Sequence, residues 1–339
     1  MERAEQFTTG NGKIRPFELR RDIDGLGDLA RVSFDDDLAR SGRSLNEEIH
    51  SIKRAIPLII ALSWVSEYFR HVIGGFVWED RGRIVGSVLV QQGNDKTRWY
   101  ISTIATHPEY RRQGIARQLT IRAMEYAREH GAEICALDVR SDNTPAYKLY
   151  RSLGFVHYDS SIALKLEDLP SVQAPQTNGY TLSPITFGDW QVRYNLAVRD
   201  TPPEVQDFLP ISETEYRVST GQRWIMPLIQ RLQRRDAHRW VAERDGQPVG
   251  CMRLTARRAQ SAHNLQLTID PAHRADVAEL LLTLALETLL DYPRQNVLIS
   301  TRAAYTDLLA VLKQYGFVEF ETMHHLGAKL NHLTEVRNA

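Results

Sequence analysis

The chain has few cysteines, which argues against a disulfide-stabilised protein. Only two of the 339 residues are cysteine, and both Cys135 and Cys251 lie in apolar stretches. Two thiols buried as small apolar side chains are typical of a protein from a reducing compartment, and they argue against a structural disulfide. We therefore expect a fold that is held by its core rather than by covalent cross-links.

A long apolar segment is also missing. The longest apolar run, AIPLIIALSWV at 55–65, is shorter than the ~20 residues that a membrane-spanning helix needs. It predicts a buried helix, with a segment that lies on a membrane or a partner as the alternative. The opening residues MERAEQFTTGNGK lack the apolar core of a secretory signal. We therefore expect a cytoplasmic protein with no membrane partner.

The third absence is an excess of charge. Forty-two Lys and Arg balance forty-two Asp and Glu, whereas a general nucleic-acid binder carries a basic excess. The eleven histidines show no metal-ligand spacing, and His324 and His325 stand next to each other on a predicted strand, where neighbours face opposite sides. No Walker loop or dinucleotide fingerprint is present. The sequence thus predicts no nucleic-acid partner and no metal.

What the chain does contain is an internal repeat. Three pairs of segments match in the same order and at nearly constant offset: 79–90 with 243–254, 104–119 with 268–282, and 147–156 with 309–318. Such matches indicate a duplication. The polar stretch EDLPSVQAPQTNG at 167–179 has the composition of a linker. We predict two domains, 1–166 and 180–339, joined by this linker.

Each half has the same predicted order of elements: a helix-rich segment, a hairpin, then strand, helix, strand, helix and strand. Strands that alternate with helices after a hairpin predict an α/β fold in which helices pack on a mixed sheet. The stretch 200–217, with three prolines among polar residues, is predicted to be a surface connection, or alternatively a loop that faces a substrate.

The segment HPEYRRQGIARQL at 107–119 is the strongest candidate for a site. Its apolar spacing predicts a helix that begins near Gln113–Gly114. The first N–H groups of a helix have no internal partner and favour an anion. Arg111, Arg112 and Arg117 place positive charge where it is unfavourable for the helix alone. The segment is therefore either an anion site or an ordinary solvated turn with surface arginines.

Three motifs in this half resemble a known family. R-x-x-G-x-A occurs at Arg111, Gly114 and Ala116, Asn143 stands in SDNTPAYKLY, and LYRSLGF follows at 149–155. In this order and spacing they resemble the GNAT family of acetyl-CoA-dependent N-acetyltransferases. The resemblance covers roughly Phe76 to Phe155 well and the preceding helices only loosely. It implies two tandem GNAT-like acyl-CoA N-acyltransferase domains, of which the first is catalytic.

The resemblance also implies roles for individual residues. Tyr150 would protonate the departing CoA thiolate, or would alternatively be a core aromatic on an amphipathic helix. Asn143 would hydrogen-bond the pantetheine arm, cap the following helix, or do both. The co-substrate, acetyl-CoA, would contact backbone groups at the end of a strand, the pyrophosphate loop and this asparagine: Ile104, Ala105, Thr106, Arg111, Arg112, Gln113, Gly114, Ile115, Ala116, Arg117 and Asn143.

The general base is not assigned by the sequence. The attacking amine must be neutral, yet the strand RWYISTIAT, where many relatives carry a Glu, has no carboxylate. His107 is one alternative, and an already neutral amine or a water chain is another. The run Asp35–Asp37 could recognise a cationic acceptor or could be a solvated helix face.

The second half departs from the motif. Gly114 aligns with Val277, Ala116 with Glu279, Tyr150 with Leu312, and Asn143 lies near Tyr305 in the alignment. We therefore expect a degenerate copy that completes the acceptor site, covers a sheet edge or mimics a dimer interface. The leading hypothesis is direct acetyl transfer to a small-molecule or peptide amine, by a monomer or homodimer. The alternative is a non-catalytic acyl-CoA-binding or regulatory module.

Overall fold

The computed structural model describes residues 12–41, 74–93, 95–170, 177–217, 235–258 and 262–330, without the side chains of residues 20 and 34–41. The strands are β1 (Gly12–Pro16), β2 (Gly74–Asp80), β3 (Arg83–Gln92), β4 (Arg98–Thr106), β5 (Ile134–Arg140), β6 (Val156–Leu166), β7 (Thr181–Pro184), β8 (Arg235–Arg244), β9 (Gln247–Arg257), β10 (His263–Ile269), β11 (Val297–Arg302) and β12 (Val318–Lys329). The helices are α1 (Leu19–Ser41), α2 (Ile115–Glu129), α3 (Thr144–Ser152), α4 (Trp190–Asp200), α5 (Pro203–Gln206), α6 (Glu213–Tyr216), α7 (Arg274–Leu289) and α8 (Thr306–Gln314).

These elements form two compact units, and each unit consists of more than one segment of the chain. The first unit takes the described residues of Met1–Asp138, Thr144–Val156 and Leu326–Ala339, and the second takes those of Val139–Asn143 and His157–His325. Nearly all of β6 therefore belongs to the second unit, where it pairs with β11. The last residues of β12 belong to the first unit, where the N–H of Leu330 donates to the Glu133 carbonyl at 2.8 Å. The predicted boundaries 1–166 and 180–339 remain a prediction about domains.

In the first unit, helices cover both faces of a sheet. Strands β1 to β4 pair antiparallel in chain order, and β4 pairs parallel with β5. Val77 packs in one cluster with Leu29 of α1, while its neighbour Phe76 makes an edge contact with Tyr126 of α2 at 5.5 Å. Because neighbours on a strand face opposite sides, α1 and α2 lie on opposite faces.

The strand β4 carries a bulge that shapes the candidate site. Ser87 pairs with Ala105 and Leu89 with Ser102, so two residues of β4 oppose the one residue of β3 between them. The bulged residue Thr103 has a φ of 51°, and a bulge bends its strand. Parallel pairing with β5 spans only Arg98–Tyr100, although β4 continues to Thr106. Beyond Tyr100 the edge of β4 therefore extends past its ladder with β5.

In the second unit, the corresponding strands pair without this bulge. Strands β7 to β10 are antiparallel, β10 is parallel to β11, and β11 is antiparallel to β6. The register of β9 and β10 runs unbroken from Asn264–Thr255 to Ile269–Gly250. Nine residues of α7 are buried, and eight of them belong to the hydrophobic core of this unit. The same succession of elements is thus built around a straighter strand.

The helix ends confirm the predicted alignment of the two halves. In α3 the Tyr150 carbonyl accepts from the N–H of Phe155 at 3.1 Å, and after α8 the Leu312 carbonyl accepts from the N–H of Phe317 at 3.1 Å. Each helix is followed by a left-handed glycine, Gly154 at φ 86° and Gly316 at φ 90°, as in common helix C-caps. Tyr150 and Leu312 therefore occupy equivalent positions.

Some elements differ from the sequence-based expectation. Strands β1 and β7 were not predicted, because five and four residues are too few for a recognisable alternation. The stretch 200–217, expected to be a plain connection, contains the short helices α5 and α6. The apolar run at 55–65 lies outside the described residues.

Close packing between a strand glycine and a helix generates a stability prediction in the second unit. A Cβ placed on Gly250 would meet Cγ1 of Val277 at 2.5 Å, so Gly250→Ala should lower the free energy of unfolding by about 1–3 kcal/mol. Val277→Ala alone should cost about 2 kcal/mol through lost packing. Since the second change removes the colliding atom, the double variant should lose less than the sum, as measured by denaturant unfolding of all four proteins. Strictly additive losses would contradict this packing.

Candidate functional site

The loop between β4 and α2 presents the start of a helix. After a 3-10 turn at Pro108–Tyr110, the chain reaches Gly114, the N-cap residue of α2, at φ 77°. Arg112 is also left-handed, at φ 63°, a conformation that costs a side-chain-bearing residue roughly 1–2 kcal/mol. The prediction that a helix begins near Gln113–Gly114 is confirmed. Gly114 adopts this conformation freely, so the left-handed Arg112 is the residue whose conformation the loop maintains at an energetic cost.

The helix start is open to a ligand. A Cβ on Gly114 would meet only Nε2 of Gln118, at 4.0 Å. The Gly114 carbonyl accepts the first intrahelical bond, from the N–H of Gln118 at 3.0 Å, so the N–H groups of the first turn have no partner within the helix. That turn contains no acidic residue. The geometry therefore suits an anionic group bound by backbone N–H donors.

Positive side chains surround this helix start. Arg111, Arg112 and Gln113 are exposed. Arg117 instead donates from Nη1 to the Ser152 hydroxyl at 3.2 Å, and this hydroxyl donates to the Leu149 carbonyl at 2.7 Å. Arg117 thereby ties α2 to the end of α3, so its role is partly structural.

At the end of β4 lies a buried hydroxyl group, that of Thr106, without a hydrogen-bond partner among the described residues. Ile104 is half-buried and Ala105 packs in the cluster beneath α1. A buried polar group without a partner costs free energy unless something binds it. Together with the diverging strand edge, this hydroxyl fits a polar ligand that lies along β4.

Tyr150 is buried at 6% exposure. Its ring packs edge-on against Phe155 at 6.1 Å, and its hydroxyl has no hydrogen-bond partner in the described part of the chain. Burial raises the pKa of this phenol well above its usual value, which keeps it protonated at neutral pH. Buried tyrosines normally have a hydrogen-bond partner for their hydroxyl. The unpaired hydroxyl of Tyr150 therefore favours the role of proton donor over a role in packing alone.

The other predicted residues have the following positions. Asn143 is exposed and directly precedes α3, the position of a helix cap, and its backbone N–H donates to the Arg140 carbonyl at 3.0 Å. The run Asp35–Asp37 lies on α1, and its side chains are outside the described residues. Nothing in the described structure therefore adds to the roles expected for these residues.

His107 is built into the turn that follows β4. The ring is 7% exposed, and its Nε2 lies 2.9 Å from Nη2 of Arg83. A guanidinium only donates, so Nε2 faces a donor, and Nδ1 faces another, the backbone N–H of Glu109 at 3.4 Å. A nitrogen that already accepts from Arg83 cannot take a proton from an amine until that contact opens. The geometry therefore weighs against His107 as the base.

The second unit replaces the loop with helix. α7 begins at Arg274, three residues after Pro271, whereas α2 begins at Ile115, seven residues after Pro108. Val277 is consequently inside α7 and fully buried. The guanidinium of Arg274 lies 3.7 Å from the centre of the Tyr305 ring and pairs with Asp200 at 3.0 Å. The position that aligns with Arg111 is thus engaged within the protein itself.

Sequence reasoning missed a cavity in the first unit. It has a volume of about 540 Å³ and lies between α1, the β2–β3 turn and His107. Asp22, at 1% exposure, accepts two hydrogen bonds from Arg15, at 2.6 and 2.8 Å, and one from the N–H of Glu18. Burial alone would raise the pKa of Asp22, but these hydrogen bonds outweigh it and lower the pKa. Arg15 also binds Glu79, 64 residues away, so no local pattern could reveal this network.

The two thiols are buried, and the paired histidines lie on a strand, as the sequence predicted. Cys135 and Cys251 are buried and free, and burial raises their pKa values to about 12 and about 11. His324 and His325 lie on β12 and bond the successive serines Ser160 and Ser161, each at 2.9 Å. In the described residues no group of His, Cys, Asp and Glu could hold a metal ion. None of the described helices has the length and apolar character to cross a membrane.

Comparison with known proteins identifies the family. The sequence matches the acetyltransferase (GNAT) family at residues 46–155 and 202–317. A curated relative, N-alpha-acetyltransferase 30 from Schizosaccharomyces pombe, is 35% identical over 100 residues, which are 28% of this chain and 67% of the relative. Mycothiol acetyltransferase from Arthrobacter sp. is 31% identical over 85 residues, 24% of this chain and only 26% of the relative. The chain belongs to the GNAT family of acetyltransferases and contains the family's domain twice.

Solved structures share the fold over nearly the whole chain. A tandem GNAT protein from the clavulanic acid biosynthesis pathway has a TM-score of 0.57 at 17% identity and covers 94% of this chain and 98% of that one. A GCN5-related N-acetyltransferase from Sphaerobacter thermophilus has a TM-score of 0.63 at 15% identity, covering 96% and 97%. At these identities the likeness concerns the fold alone.

The open helix start leads to a binding prediction. Gly114→Val should weaken acetyl-CoA binding at least about tenfold, because a branched side chain in a left-handed position blocks the approach to the N–H groups. Gly131→Val is the matched control, since Gly131 is also left-handed, at φ 85°, and has no atom near its missing Cβ. It lies beyond the other end of α2, so it should share the backbone strain but keep the affinity. Calorimetric titration of both variants checks this, and equal affinities would remove the loop from the site.

Proposed function

We propose that this protein is an acetyl-CoA-dependent N-acetyltransferase that transfers the acetyl group directly to an amine in a ternary complex. The first half is catalytic and the second is a degenerate copy, and the protein works in the cytoplasm without a metal. The observation that carries the proposal is the pairing of two features in one unit: the open helix start at Gly114 and the bulged end of β4. Neither feature occurs in the described second unit.

Co-substrate binding is assigned to backbone groups. The N–H groups of Arg112–Arg117 bind the pyrophosphate, with the charge of Arg111 and Arg112 beside them. The end of β4, Ile104–Thr106, contacts the pantetheine arm as an added strand would, since its edge extends past the ladder with β5. The family resemblance adds Asn143 as a hydrogen-bond partner of the same arm.

The chemical step then requires one proton donor in the protein. The neutral amine attacks the thioester carbon, a C–N bond forms, and the carbonyl oxygen becomes an oxyanion. When that intermediate collapses, the C–S bond breaks and the phenol of Tyr150 gives its proton to the departing sulfur. The proton lost by the amine passes to solvent, and solvent returns a proton to the Tyr150 phenolate before the next turnover. The raised pKa of Tyr150 keeps the donor form populated through neutral and mildly alkaline pH.

Direct transfer is favoured over a covalent acyl-enzyme. Cysteine reacts as the thiolate, and burial raises the pKa values of both thiols well above neutral pH. Cys135 is fully buried on β5. Neither thiol is therefore suited to carry the acetyl group.

The acceptor is an amine on a small molecule or on a peptide. Two relatives are named as an N-alpha-acetyltransferase and a mycothiol acetyltransferase, and these names leave both classes open. The cavity beside His107 is one place among the described residues where an acceptor with mixed charge could lie, because Asp22, Asp28 and Arg31 line it together.

A non-catalytic acyl-CoA-binding or regulatory module is the second candidate. It is favoured by the lack of a base: β4 carries no carboxylate, and Nε2 of His107 faces Arg83 at 2.9 Å. This candidate predicts binding of acetyl-CoA without turnover.

Acetyl-CoA titration of the full chain, followed by thiol release with a panel of amines and peptides, tests the two candidates. The proposal expects one molecule bound per chain and release of CoA that depends on the amine. Binding without release across the panel supports the non-catalytic module, and two equal sites would contradict the degenerate second half.

Tyr150→Phe tests the proton donor. Loss of the phenol should lower kcat by about 10²-fold or more while leaving acetyl-CoA affinity and the unfolding temperature unchanged, because the hydroxyl makes no hydrogen bond in the described structure. Tyr126→Phe is the control, since Tyr126 also packs against aromatic rings in the same unit. Steady-state kinetics of both variants decide the matter, and wild-type kcat in Tyr150→Phe would exclude this role.

A further inference from the structure

The outer strands of the second unit place arginines directly opposite each other. In the antiparallel pair of β8 and β9, Arg239 pairs with Arg253 and Arg235 pairs with Arg257. Their neighbours Trp240 and Met252 pack in the core around α7. Since neighbours on a strand face opposite sides, these four arginines share the sheet face that does not carry α7.

A fifth arginine reaches the same face from α4. The guanidinium carbons of Arg193 and Arg239 lie 5.6 and 5.3 Å from the centre of one ring, that of Phe187. Arg193 also approaches the Tyr216 ring at 6.0 Å. We call this cluster the arginine face, and its members are Arg193, Arg235, Arg239, Arg253 and Arg257.

The arginine face has no counter-charge within the described residues. None of its members makes an ion pair there, and nitrogens of Arg193, Arg239, Arg253 and Arg257 are buried without a hydrogen-bond partner. Arg239 is 8% exposed. The neighbouring segment 218–234 contains no Asp or Glu in its sequence. It therefore cannot supply the missing carboxylate.

Such an arrangement is unfavourable for an isolated protein. Like charges directly opposite each other destabilise a sheet, and a buried charge is costly unless it is paired. Burial, with Arg253 and Arg193 nearby, lowers the pKa of Arg239 to about 10. Elsewhere in the same unit arginines are paired: Arg274 with Asp200 and Arg258 with Asp236. The arginine face is thus an exception that requires a partner.

We propose that the arginine face of the second unit is a binding site for a small multivalent oxyanion, a phosphate-bearing molecule or a polycarboxylate. Guanidinium groups offer paired N–H donors that match phosphate and carboxylate oxygens. An anion with a single charge would leave most of the cluster uncompensated. The face is open on one side, because Gln266 of β10, directly opposite Arg253, is exposed.

This site is separate from the acetyl-CoA loop and does not depend on it. The Gly114 loop belongs to the first unit and binds through backbone N–H groups, whereas the arginine face uses side chains of the second unit. A degenerate copy that has lost its helix-start loop would then retain a function of another kind, as the binding module for a charged ligand.

The test measures the unfolding temperature of the full chain in pyrophosphate, in citrate and in chloride at matched ionic strength. To exclude binding at the first-unit loop, the same series is run on Gly114→Val. We expect a multivalent anion to raise the unfolding temperature of both proteins well above the chloride value. Pyrophosphate alone would identify a phosphate-bearing ligand, citrate alone a polycarboxylate, and both together recognition by charge. No rise beyond chloride would overturn the proposal.

Arg253→Met supplies the second measurement. Without anion it should unfold about 2–4 °C higher than the parent, because a buried like charge is removed, and it should lose the rise caused by the multivalent anion. Arg239→Met should behave in the same way. Arg258→Met is the matched control, since Arg258 is exposed and paired with Asp236, and it should keep the rise. A lower unfolding temperature in both Arg253→Met and Arg239→Met, or an undiminished rise in either, would contradict the proposal.

Discussion

The candidate site depends on one backbone constraint, the extra residue in β4. Two residues of β4 lie between its pairs with Ser87 and Leu89, and Thr103 takes a left-handed conformation to fit them. A β-branched residue is disfavoured there, so the bulge must be held by its surroundings. The Ser87 hydroxyl donates to the Thr103 carbonyl at 3.3 Å, which is one such restraint. Backbone groups that leave a ladder need new partners, and a ligand laid along β4 can supply them.

The second unit shows what the same fold becomes without that constraint. Its strand β10 stays in register with β9, and its helix begins near the end of the strand instead of after an open loop. The groups that would face a ligand are engaged within the protein: Val277 fills the space above Gly250, and Arg274 stacks on Tyr305. The two halves thus differ in whether the strand end and helix start are satisfied internally or left for a ligand.

Local signals in the sequence predicted local structure. Gly114 followed by apolar residues at helical spacing indicated the start of α2. Features that require a register between distant residues had no such signal. The bulge at Thr103 lies in a run that otherwise reads as a regular strand, and the bond between Arg15 and Glu79 joins residues 64 positions apart. Nearly all of strand β6 belongs to the second unit because it pairs with the distant strand β11. Composition and periodicity do not predict such long-range pairing.

The net charge of the chain does not show how its charged residues are distributed over the surface. Equal numbers of acidic and basic residues were the reason to expect that the chain is not a general nucleic-acid binder. Within the second unit, however, side chains on a strand alternate between the two faces of the sheet, and this separates the charges. On β8, Asp236 lies on one face, whereas Arg235 and Arg239 lie on the other. A neutral chain can therefore hold a concentrated positive site. Where a fold leaves several guanidinium groups buried beside each other without carboxylates, either a ligand supplies the negative charge or the repulsion lowers the stability of the fold.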